Sequence, residues 1–370
     1  MNNPDRAICQ IVPRLPGSLD GVGDAALNLA RTLLAKHGLT TIFIVASETH
    51  ATSIDDFQVI SGLPSGASLD ELARRTRHVI LHYVNYGYQP RGIPFRLRRF
   101  AREFRGRIDG RWLTTFHELY ASGPPWKSEF WLRPLQVKIA RDIIEISDRC
   151  VVSNDVIANE IHRIDTSKSV CIVPIMSNFG EPELTELTAR SPNQWTICGG
   201  TNLILRSLRS SGLRRGQIPR ANAPQSLEVI GGHNDPRIAT AIRELLDDFP
   251  ELLCRHHPNV TAEDASALLR TCSFAWFDYF GSGKIWPGMI LKSSSFAACC
   301  AHGVVPVLSH EEPPVGVGAD FLPGPYFITT DSVHLPSTNE VVTVGDQFYS
   351  WYQKHASSEQ AARAYFEALG

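Results

Sequence analysis

Short apolar runs alternate with helix-patterned segments along this chain, and that alternation limits its fold more than any other feature. The run AICQIV at 7–12 precedes a glycine-rich turn and then the segment 24–36, in which Leu27, Ala30 and Leu34 have helical spacing. Strands that are apolar almost throughout and alternate with helices form a parallel sheet covered on both faces. The sequence therefore predicts an α/β protein.

The pattern fills the first half of the chain and is repeated in the second half. Strands are predicted at 7–12, 41–46, 78–83, 112–116, 150–153, 170–175, 194–198, 226–230, 252–255, 274–277 and 304–308. Helices are predicted at 24–36, 69–75, 94–104, 134–146, 155–162, 238–248, 261–270, 293–302 and 345–369, with a further one around Leu203, Leu205 and Leu208. A polar stretch with weak periodicity separates the two halves.

A length of 370 residues fits two domains. We predict an N-terminal domain at 1–175, a linker at 176–193, a C-terminal domain at 194–344 and a helical segment at 345–370.

The composition is that of a globular protein, with 43% hydrophobic and 20% charged residues. The net charge of -2 argues against a dedicated nucleic-acid-binding protein, so no nucleic-acid partner is expected. The sequence has no secretory leader pattern and no apolar run of about 18 residues. None of its 8 cysteines forms a C-x-x-C pair. These features predict a cytoplasmic protein with reduced cysteines and no structural zinc.

A glycine-rich loop follows the first predicted strand. Gly17, Gly21 and Gly23 lie between this strand and a helix, and Asp24 follows them. In an open α/β sheet, ligands bind beyond the carboxyl ends of the strands, where glycines admit a close approach and a helix N-terminus favours an anion. The spacing is not G-x-G-x-x-G, so a dinucleotide fingerprint is not indicated. A tight turn with positive φ is the alternative interpretation.

A histidine and a glutamate follow another predicted strand. His117 and Glu118 come directly after 112–116 and would point beyond the carboxyl edge of the sheet. The histidine could bond a substrate hydroxyl or a developing charge, and the glutamate could orient it or act as an acid or base. A structural role for His117 is the alternative.

A lysine and three serines precede an apolar helix: Lys292, Ser293, Ser294 and Ser295. Backbone N–H groups, hydroxyls and a cation together suit a diphosphate. No G-x-x-x-x-G-K-[ST] surrounds them, so this is not a P-loop. The alternative is an ordinary serine N-cap beside a surface lysine.

The stretch from Arg91 to Arg111 contains 8 arginines, opposed by Glu103 and Asp109 only. Its apolar residues share one helix face. Such a helix can lie on an anionic membrane surface, or it can pack on the sheet with a solvated basic face.

Taken in order, these features resemble the GT-B glycosyltransferases of family four. The resemblance is carried by the loop from Leu15 to Asp24 with its helix, by LTTFHE at 113–118 with ISDRCVVS at 146–153, and by AACCAHGVVPV at 297–307. It spans almost the whole chain. It implies two Rossmann-like domains with parallel sheets facing across a cleft, and a C-terminal helix that crosses back to the first domain.

The resemblance also implies a retaining, metal-independent sugar transfer from a nucleotide-diphosphate donor, with no cofactor. His117 and Glu118 would be catalytic, and Asp24 and Tyr120 would lie on the acceptor side. The donor-binding residues would be Gly21, Gly23, Gly199, Gly200, Arg206, Asp278, Lys292, Ser293, Ser294 and Ser295.

One departure concerns the Glu-x7-Glu motif of that family. Its two glutamates would fall on Ile290 and Ala298, so neither carboxylate is present. Asp278 and Lys284 are polar groups that could compensate for them. Whether the loss reduces or abolishes activity is left open by the sequence.

The sequence therefore predicts a hexosyltransferase of polysaccharide or glycoconjugate biosynthesis, acting on a glycan, lipid-linked or other acceptor. It is expected to be cytoplasmic, with peripheral contact to the inner face of a membrane through Arg91–Arg111. Two alternatives stay open: a catalytically inactive GT-B-fold scaffold or binding protein, and a GT-B sugar-nucleotide epimerase. The donor base, the sugar, the acceptor, the linkage and the oligomeric state are not specified.

Overall fold

The computed structural model describes residues 7–16, 21–121, 125–184, 190–210, 218, 223–280, 285–308, 314–324, 335–337 and 339–370. The chain divides into two units. The first comprises Met1–Pro174 together with Ser358–Gly370, and the second comprises Ile175–Ser357.

The first unit is built on an eight-stranded sheet. In chain order its strands are β1 (Ala7–Val12), β2 (Thr41–Val45), β3 (Ser53–Ile54), β4 (Phe57–Ser61), β5 (Thr76–Tyr83), β6 (Trp112–Phe116), β7 (Arg149–Val152) and β8 (Val170–Ile172). Their order in the sheet is β3-β4-β2-β1-β5-β6-β7-β8. Every neighbouring pair is parallel except β3 with β4, which is antiparallel.

Helices connect the successive parallel strands, except β2 and β4, which are separated by the short strand β3. The helices are α1 (Gly21–His37), α2 (Ala67–Arg75), α3 (Asn85–Tyr88), α4 (Phe95–Arg105), α5 (Ser128–Ile146) and α6 (Asp155–Ile164). Helix α1 ends as predicted before Gly38, which has φ 65° and donates its N–H to the carbonyl of Leu34 at 3.0 Å.

The second unit contains a five-stranded parallel sheet. Its strands are β9 (Gln194–Gly199), β10 (Ser226–Gly231), β11 (Leu253–His257), β12 (Phe274–Phe277) and β13 (Val305–Leu308), in the order β11-β10-β9-β12-β13. Its helices are α7 (Thr201–Arg209), α8 (Pro236–Asp248), α9 (Ala262–Leu269), a 3₁₀ helix (Pro287–Lys292), α10 (Ser294–Ala301) and α11 (Val341–His355). A small hairpin joins β14 (Gly316–Val317) to β15 (Asp320–Phe321). The predicted α/β class with two parallel sheets is confirmed.

The predicted linker at 176–193 packs on the second unit wherever the structure describes it. The guanidinium of Arg190 donates to the carbonyl of His302 at 2.6 Å, and burial lowers the pKa of Arg190 to about 10. The hydroxyl of Tyr352 accepts from the N–H of Ser177 at 2.9 Å. These bonds tie both described parts of the segment to the second unit.

The predicted helical segment at 345–370 is two helices, because the chain breaks after His355. Helix α11 belongs to the second unit, and α12 (Ser358–Leu369) belongs to the first. In α12, the hydroxyl of Tyr365 bonds Thr115 Oγ1 on β6 at 2.6 Å, and the ring of Phe366 stacks on His37 of α1 at a centroid distance of 4.3 Å. Helix α12 thus completes the packing of the first unit.

Candidate functional site

The carboxyl edge of the first sheet carries the predicted pair His117 and Glu118. Strand β6 ends at Phe116, and the N–H of His117 still donates to the carbonyl of Tyr83 on β5 at 3.0 Å. His117 is half-buried and Glu118 is exposed. The structure therefore places both side chains where parallel α/β sheets bind ligands.

A line of polar side chains leads to His117 through the buried sheet. Gln10 pairs with Ile80 across the β1–β5 ladder, and His82 lies two residues further on, so both point to the same face. Gln10 Nε2 lies 3.5 Å from Thr41 Oγ1, and Gln10 Oε1 lies 2.8 Å from His82 Nε2. His82 Nδ1 lies 3.3 Å from His117 Nε2. Each step moves one strand across and two residues toward the carboxyl edge.

This line orients two imidazoles and fixes which nitrogen of His82 carries the proton. His82 is buried, and burial followed by the charge of His117 lowers its pKa well below 6.5, so His82 is neutral. Gln10 Oε1 can only accept, so His82 Nε2–H donates to it. His82 Nδ1 is then an acceptor, and His117 Nε2–H donates to it. The ring orientation of His117 therefore follows from Gln10 through His82.

Sequence reasoning missed Gln10 and His82. Each is a single polar residue inside an otherwise apolar run, and its neighbours across the sheet become known only with the strand register. The signal that could have found them is the presence of two ionisable or amide side chains in strands predicted to be buried.

The glycine-rich loop after β1 is described from Gly21 onward, and Gly17 lies outside the described residues. A Cβ at Gly21 would meet nothing within 4 Å. A Cβ at Gly23 would lie 2.6 Å from the carbonyl oxygen of Arg14, so close packing of the first turn of α1 on the preceding chain requires a glycine there. Asp24 is half-buried in this turn, where its charge complements the helix dipole.

Tyr120, predicted on the acceptor side, is held by two helices of the first unit. Its hydroxyl donates to Glu160 Oε2 on α6 at 2.5 Å, and the guanidinium of Arg133 on α5 lies 5.3 Å from its ring centroid. Burial, followed by the hydrogen bond to Glu160, raises the pKa of Tyr120. The ring therefore has a fixed position close after the His117–Glu118 pair in the chain.

In the second unit, three segments converge at the carboxyl edge of the sheet. A Cβ at Gly231 would lie 2.7 Å from the carbonyl oxygen of Gly199, and a Cβ at Gly199 would lie 2.9 Å from Ser295 Oγ. Gly199 has φ 144° and Gly231 has φ 94°. The ends of β9 and β10 and the first turn of α10 therefore approach one another more closely than any side chain would allow.

Two helix N-termini begin at this edge. Helix α7 starts after Gly200, which has no side chain to accept from the first N–H groups. Helix α10 starts after Ser293, whose Oγ accepts from the N–H of Phe296 at 3.3 Å. N–H groups at a helix start attract an anion, because they carry the positive end of the helix dipole. The edge as a whole suits a diphosphate.

The predicted serines have different environments. Ser293 is buried and caps α10, as the alternative interpretation held. Ser294 and Ser295 are half-buried in the first turn, with Ser295 next to Gly199. Lys292 ends the 3₁₀ helix directly before them.

Two other predicted donor residues lie at other points of the unit. Arg206 is exposed in the last turn of α7, at the opposite end of that helix from Gly200. Asp278 follows β12, and its N–H donates to Ser207 Oγ at 3.0 Å. Ile290 and Ala298 are fully buried, so hydrophobic packing occupies the positions of the missing carboxylates. Lys284 lies outside the described residues.

Two thiols link the glycine edge to α10. Cys198 Sγ lies 3.5 Å from Cys299 Sγ and 3.6 Å from the carbonyl oxygen of Ser295. Burial, followed by the hydrogen bond to Cys198, raises the pKa of Cys299 well above 9.0. Cys299 therefore stays protonated, and the two thiols act in packing.

Among the described residues, no group of three or more His, Cys, Asp or Glu side chains is arranged to hold a metal ion. Nor does that part of the chain contain a helix whose length and hydropathy would let it cross a bilayer.

No family model and no curated protein matches this sequence. Several solved structures share its fold. An alpha-glucosyltransferase (AGT) in complex with UDP has a TM-score of 0.63 at 12% identity, covering 98% of this chain and 99% of that chain. The pneumococcal O-GlcNAc transferase GtfA in complex with UDP and GlcNAc has a TM-score of 0.56 at 10% identity, covering 99% and 96%.

The lipopolysaccharide outer core galactosyltransferase WaaB, in its apo form, has a TM-score of 0.55 at 13% identity, covering 98% of this chain and 100% of that chain. At such identities the similarity shows the fold alone, and that fold is GT-B.

Proposed function

We propose that this chain is a glycosyltransferase that takes its sugar from a uridine-diphosphate donor. The observation that carries the proposal is the carboxyl edge of the second sheet, where α7 starts after Gly200 with no side-chain cap and a Cβ at Gly200 would meet nothing within 4 Å. An anion fits at such a helix start because the glycine leaves space there and the first N–H groups carry the positive end of the helix dipole. The UDP named with two of the similar structures favours uridine as the base.

The proposed chemistry needs a stabilised leaving diphosphate and a group that bonds the sugar as positive charge develops. Helix N-termini at the glycine edge and the ammonium of Lys292 would serve the diphosphate. His117, oriented by His82, would bond the sugar. The resemblance to family four supports a retaining hexosyl transfer that needs no metal, which full activity in EDTA would test.

The first experiment is a thermal-shift screen of the purified chain with UDP, GDP, ADP, dTDP and CMP. A ligand at about 100 times its dissociation constant stabilises a protein by roughly 2.7 kcal/mol. We expect UDP to raise the melting temperature, and Lys292→Ala to reduce that shift. His117→Ala, a change in the other unit, should keep the shift and lose turnover.

If UDP gives no shift, the donor assignment is wrong. Binding of UDP-sugars without transfer to any glycan or lipid-linked acceptor would favour the scaffold alternative. Interconversion of free UDP-sugars would favour the epimerase alternative. The anomeric configuration of a transferred sugar, read by NMR, would decide between retention and inversion.

The acceptor is proposed to be a glycan or a lipid-linked compound of polysaccharide or glycoconjugate synthesis, in the cytoplasm, without nucleic acid. Some structures of the similar alpha-glucosyltransferase contain DNA with an HMU base. A net charge of -2 does not favour a DNA acceptor here. Salt-dependent binding of this chain to DNA in a gel-shift assay would overturn that part of the proposal.

A further inference from the structure

Apolar side chains just before α5 and in its first two turns are exposed to solvent. Trp126, just before the helix, is 82% exposed, and Trp131 is 70% exposed. Phe130 and Leu135 are exposed as well. The buried face of α5 begins only at Gln136. These four exposed side chains are called the aromatic end of α5.

The aromatic end has a defined arrangement. The rings of Phe130 and Trp131 pack edge to face at a centroid distance of 5.4 Å. Trp131 Nε1 donates to the carbonyl of Pro125 at 2.8 Å, which ties the preceding turn to the helix. Exposed apolar residues are ordinary when isolated, but a cluster with two tryptophans indicates a binding surface.

The charge around this cluster is mainly positive. Between 126 and 141 the only acid is Glu129. The exposed cations of the same stretch are Lys127, Arg133, Lys138 and Arg141. Aromatic and aliphatic side chains surrounded by cations complement an anionic lipid surface, where tryptophan favours the boundary between headgroups and acyl chains.

The neighbouring helix α4 carries an exposed ring and an exposed cation of its own. Arg98 and Arg102 of α4 form ion pairs with Asp142 of α5, so the two helices lie side by side. Helix α4 also presents Phe95, at 52% exposure, and the exposed Arg96.

Ion pairs also change the interpretation of the basic stretch Arg91–Arg111. Arg105 pairs with Asp148 at 3.1 Å, and Arg107 pairs with Asp70 at 2.7 Å, so these two arginines, with Arg98 and Arg102, are used inside the unit. That leaves much less free charge in Arg91–Arg111 than its composition suggests.

We propose that the aromatic end of α5 docks on an anionic bilayer surface, with Trp126 and Trp131 inserted at the headgroup boundary and the surrounding cations on the phosphates. The apolar groups supply the burial, and the cations select anionic lipid. This docking does not depend on the transferase activity, so either proposal can fail while the other holds.

The test is vesicle flotation of the full chain with phosphatidylcholine alone and with added phosphatidylglycerol. We expect binding to the anionic vesicles only, weakened by salt. The double variant Trp126→Ala/Trp131→Ala should bind about tenfold more weakly, because two exposed rings no longer enter the interface. Its melting temperature should change little, since both rings are mostly exposed and the lost contacts lie at the surface.

Trp286→Ala is the matched control, because Trp286 is 67% exposed in the second unit. It should bind vesicles as the unchanged protein does. A blue shift of tryptophan fluorescence on anionic vesicles, lost in the double variant and kept in the control, gives a second measurement.

Three results would overturn the proposal. The unchanged protein could fail to float with anionic vesicles. The double variant could float as well as the unchanged protein, while Arg96→Gln/Arg99→Gln abolishes the binding. That result would show that the basic helix α4, and not the aromatic end of α5, contacts the membrane. Or the protein could dimerise in light scattering and lose the dimer in the double variant, which would make this surface an interface between copies.

Discussion

His82 is a neutral base enclosed in a sheet, and its ring nitrogens bond Gln10 on one side and His117 on the other. An apolar residue at this position would suit the sheet better, because burying a polar ring costs free energy unless both nitrogens are bonded. The structure satisfies both nitrogens and thereby orients His117. The role of His82 in the protein is therefore to position His117 at the edge of the sheet.

The first prediction concerns this positioning. His82→Leu removes the acceptor for His117 Nε2–H, and we expect kcat to fall by roughly tenfold to a hundredfold, as misplacement of a reacting group does. The dissociation constant of UDP should stay the same, because the proposed UDP site lies in the other unit. Steady-state kinetics and calorimetry measure the two quantities.

His78→Leu is the control for that variant. His78 lies on the same strand, but its Nδ1 accepts from the N–H of Arg111 at 2.9 Å and takes no part in the line to His117. If both variants lose the same share of kcat, the effect comes from the sheet and not from the orientation of His117.

The second prediction concerns pH. His302 donates from Nδ1 to the carbonyl of Ala298 at 2.7 Å, and its Nε2 bonds Ser266 Oγ at 2.8 Å. Burial lowers its pKa from 6.5 to about 4. The unfolded chain therefore binds more protons than the folded chain between these values. The contribution of His302 to the free energy of unfolding is therefore complete above pH 6.5 and is lost as the pH falls toward 4.

Urea unfolding at several pH values measures this loss. In the unchanged protein, His302 should add a slope of up to about 1.4 kcal/mol per pH unit between these pKa values. His302→Phe should remove that part of the slope, whereas His50→Phe, at an exposed position, should not. An unchanged slope in His302→Phe would contradict the assignment.

The proposed diphosphate site lies in the loops that follow the parallel strands of the second unit. Backbone geometry at its glycines matters more for binding than side chains do. Gly231→Ala forces a Cβ to within 2.7 Å of the Gly199 carbonyl at φ 94°. We expect it to destabilise the second unit by roughly 1–3 kcal/mol and to abolish the UDP-induced shift in melting temperature.

The variant Gly200→Ala tests UDP binding in a protein whose fold should be unchanged. Gly200 has φ -75°, and a Cβ there would meet nothing within 4 Å, so the variant should keep its melting temperature. If the diphosphate lies at the start of α7, the new methyl group should still weaken UDP binding. Unchanged UDP affinity in this variant would move the diphosphate away from α7.

The parallel strands were predictable, because nearly continuous apolar runs occur where both faces of a strand are covered. Strands β3 and β4 were missed, since Asp55 and Asp56 interrupt a short, partly polar hairpin. Helix α5 was predicted to start at Pro134, as proline favours a first turn. It starts earlier because its first two turns have no buried side to give a periodic pattern.

Positions at strand ends were predictable for the site as well, since His117 and Asp278 directly follow strands and Gly199 is the last residue of β9. The contacts between strands were not, because they depend on register. The approach of Gly231 to Gly199 is an example. The pairs Gly199-Gly200 and Gly231-Gly232 are visible in the sequence, but the sequence does not show that Gly199 and Gly231 lie next to each other.

The chain enters the second unit after Pro174 and returns to the first at Ser358, so the first unit is discontinuous in sequence. We predict that truncation after Ser357 destabilises the first unit alone, because it removes Tyr365 from Thr115 and Phe366 from His37. Hydrogen exchange should quicken in β5 and β6 and stay unchanged in β9 and β10. Equal loss of protection in both sheets would contradict this independence.

The position of α12 in the sequence also orders events on the ribosome. The helix that covers the first sheet is translated only after the entire second unit, a delay on the order of ten seconds at about 5–20 residues per second. During that interval the nascent chain carries a nearly complete sheet whose α12 face is still open. Chaperones that hold exposed apolar surface would have their longest access to this protein there, and a slow codon run within 175–357 would lengthen it.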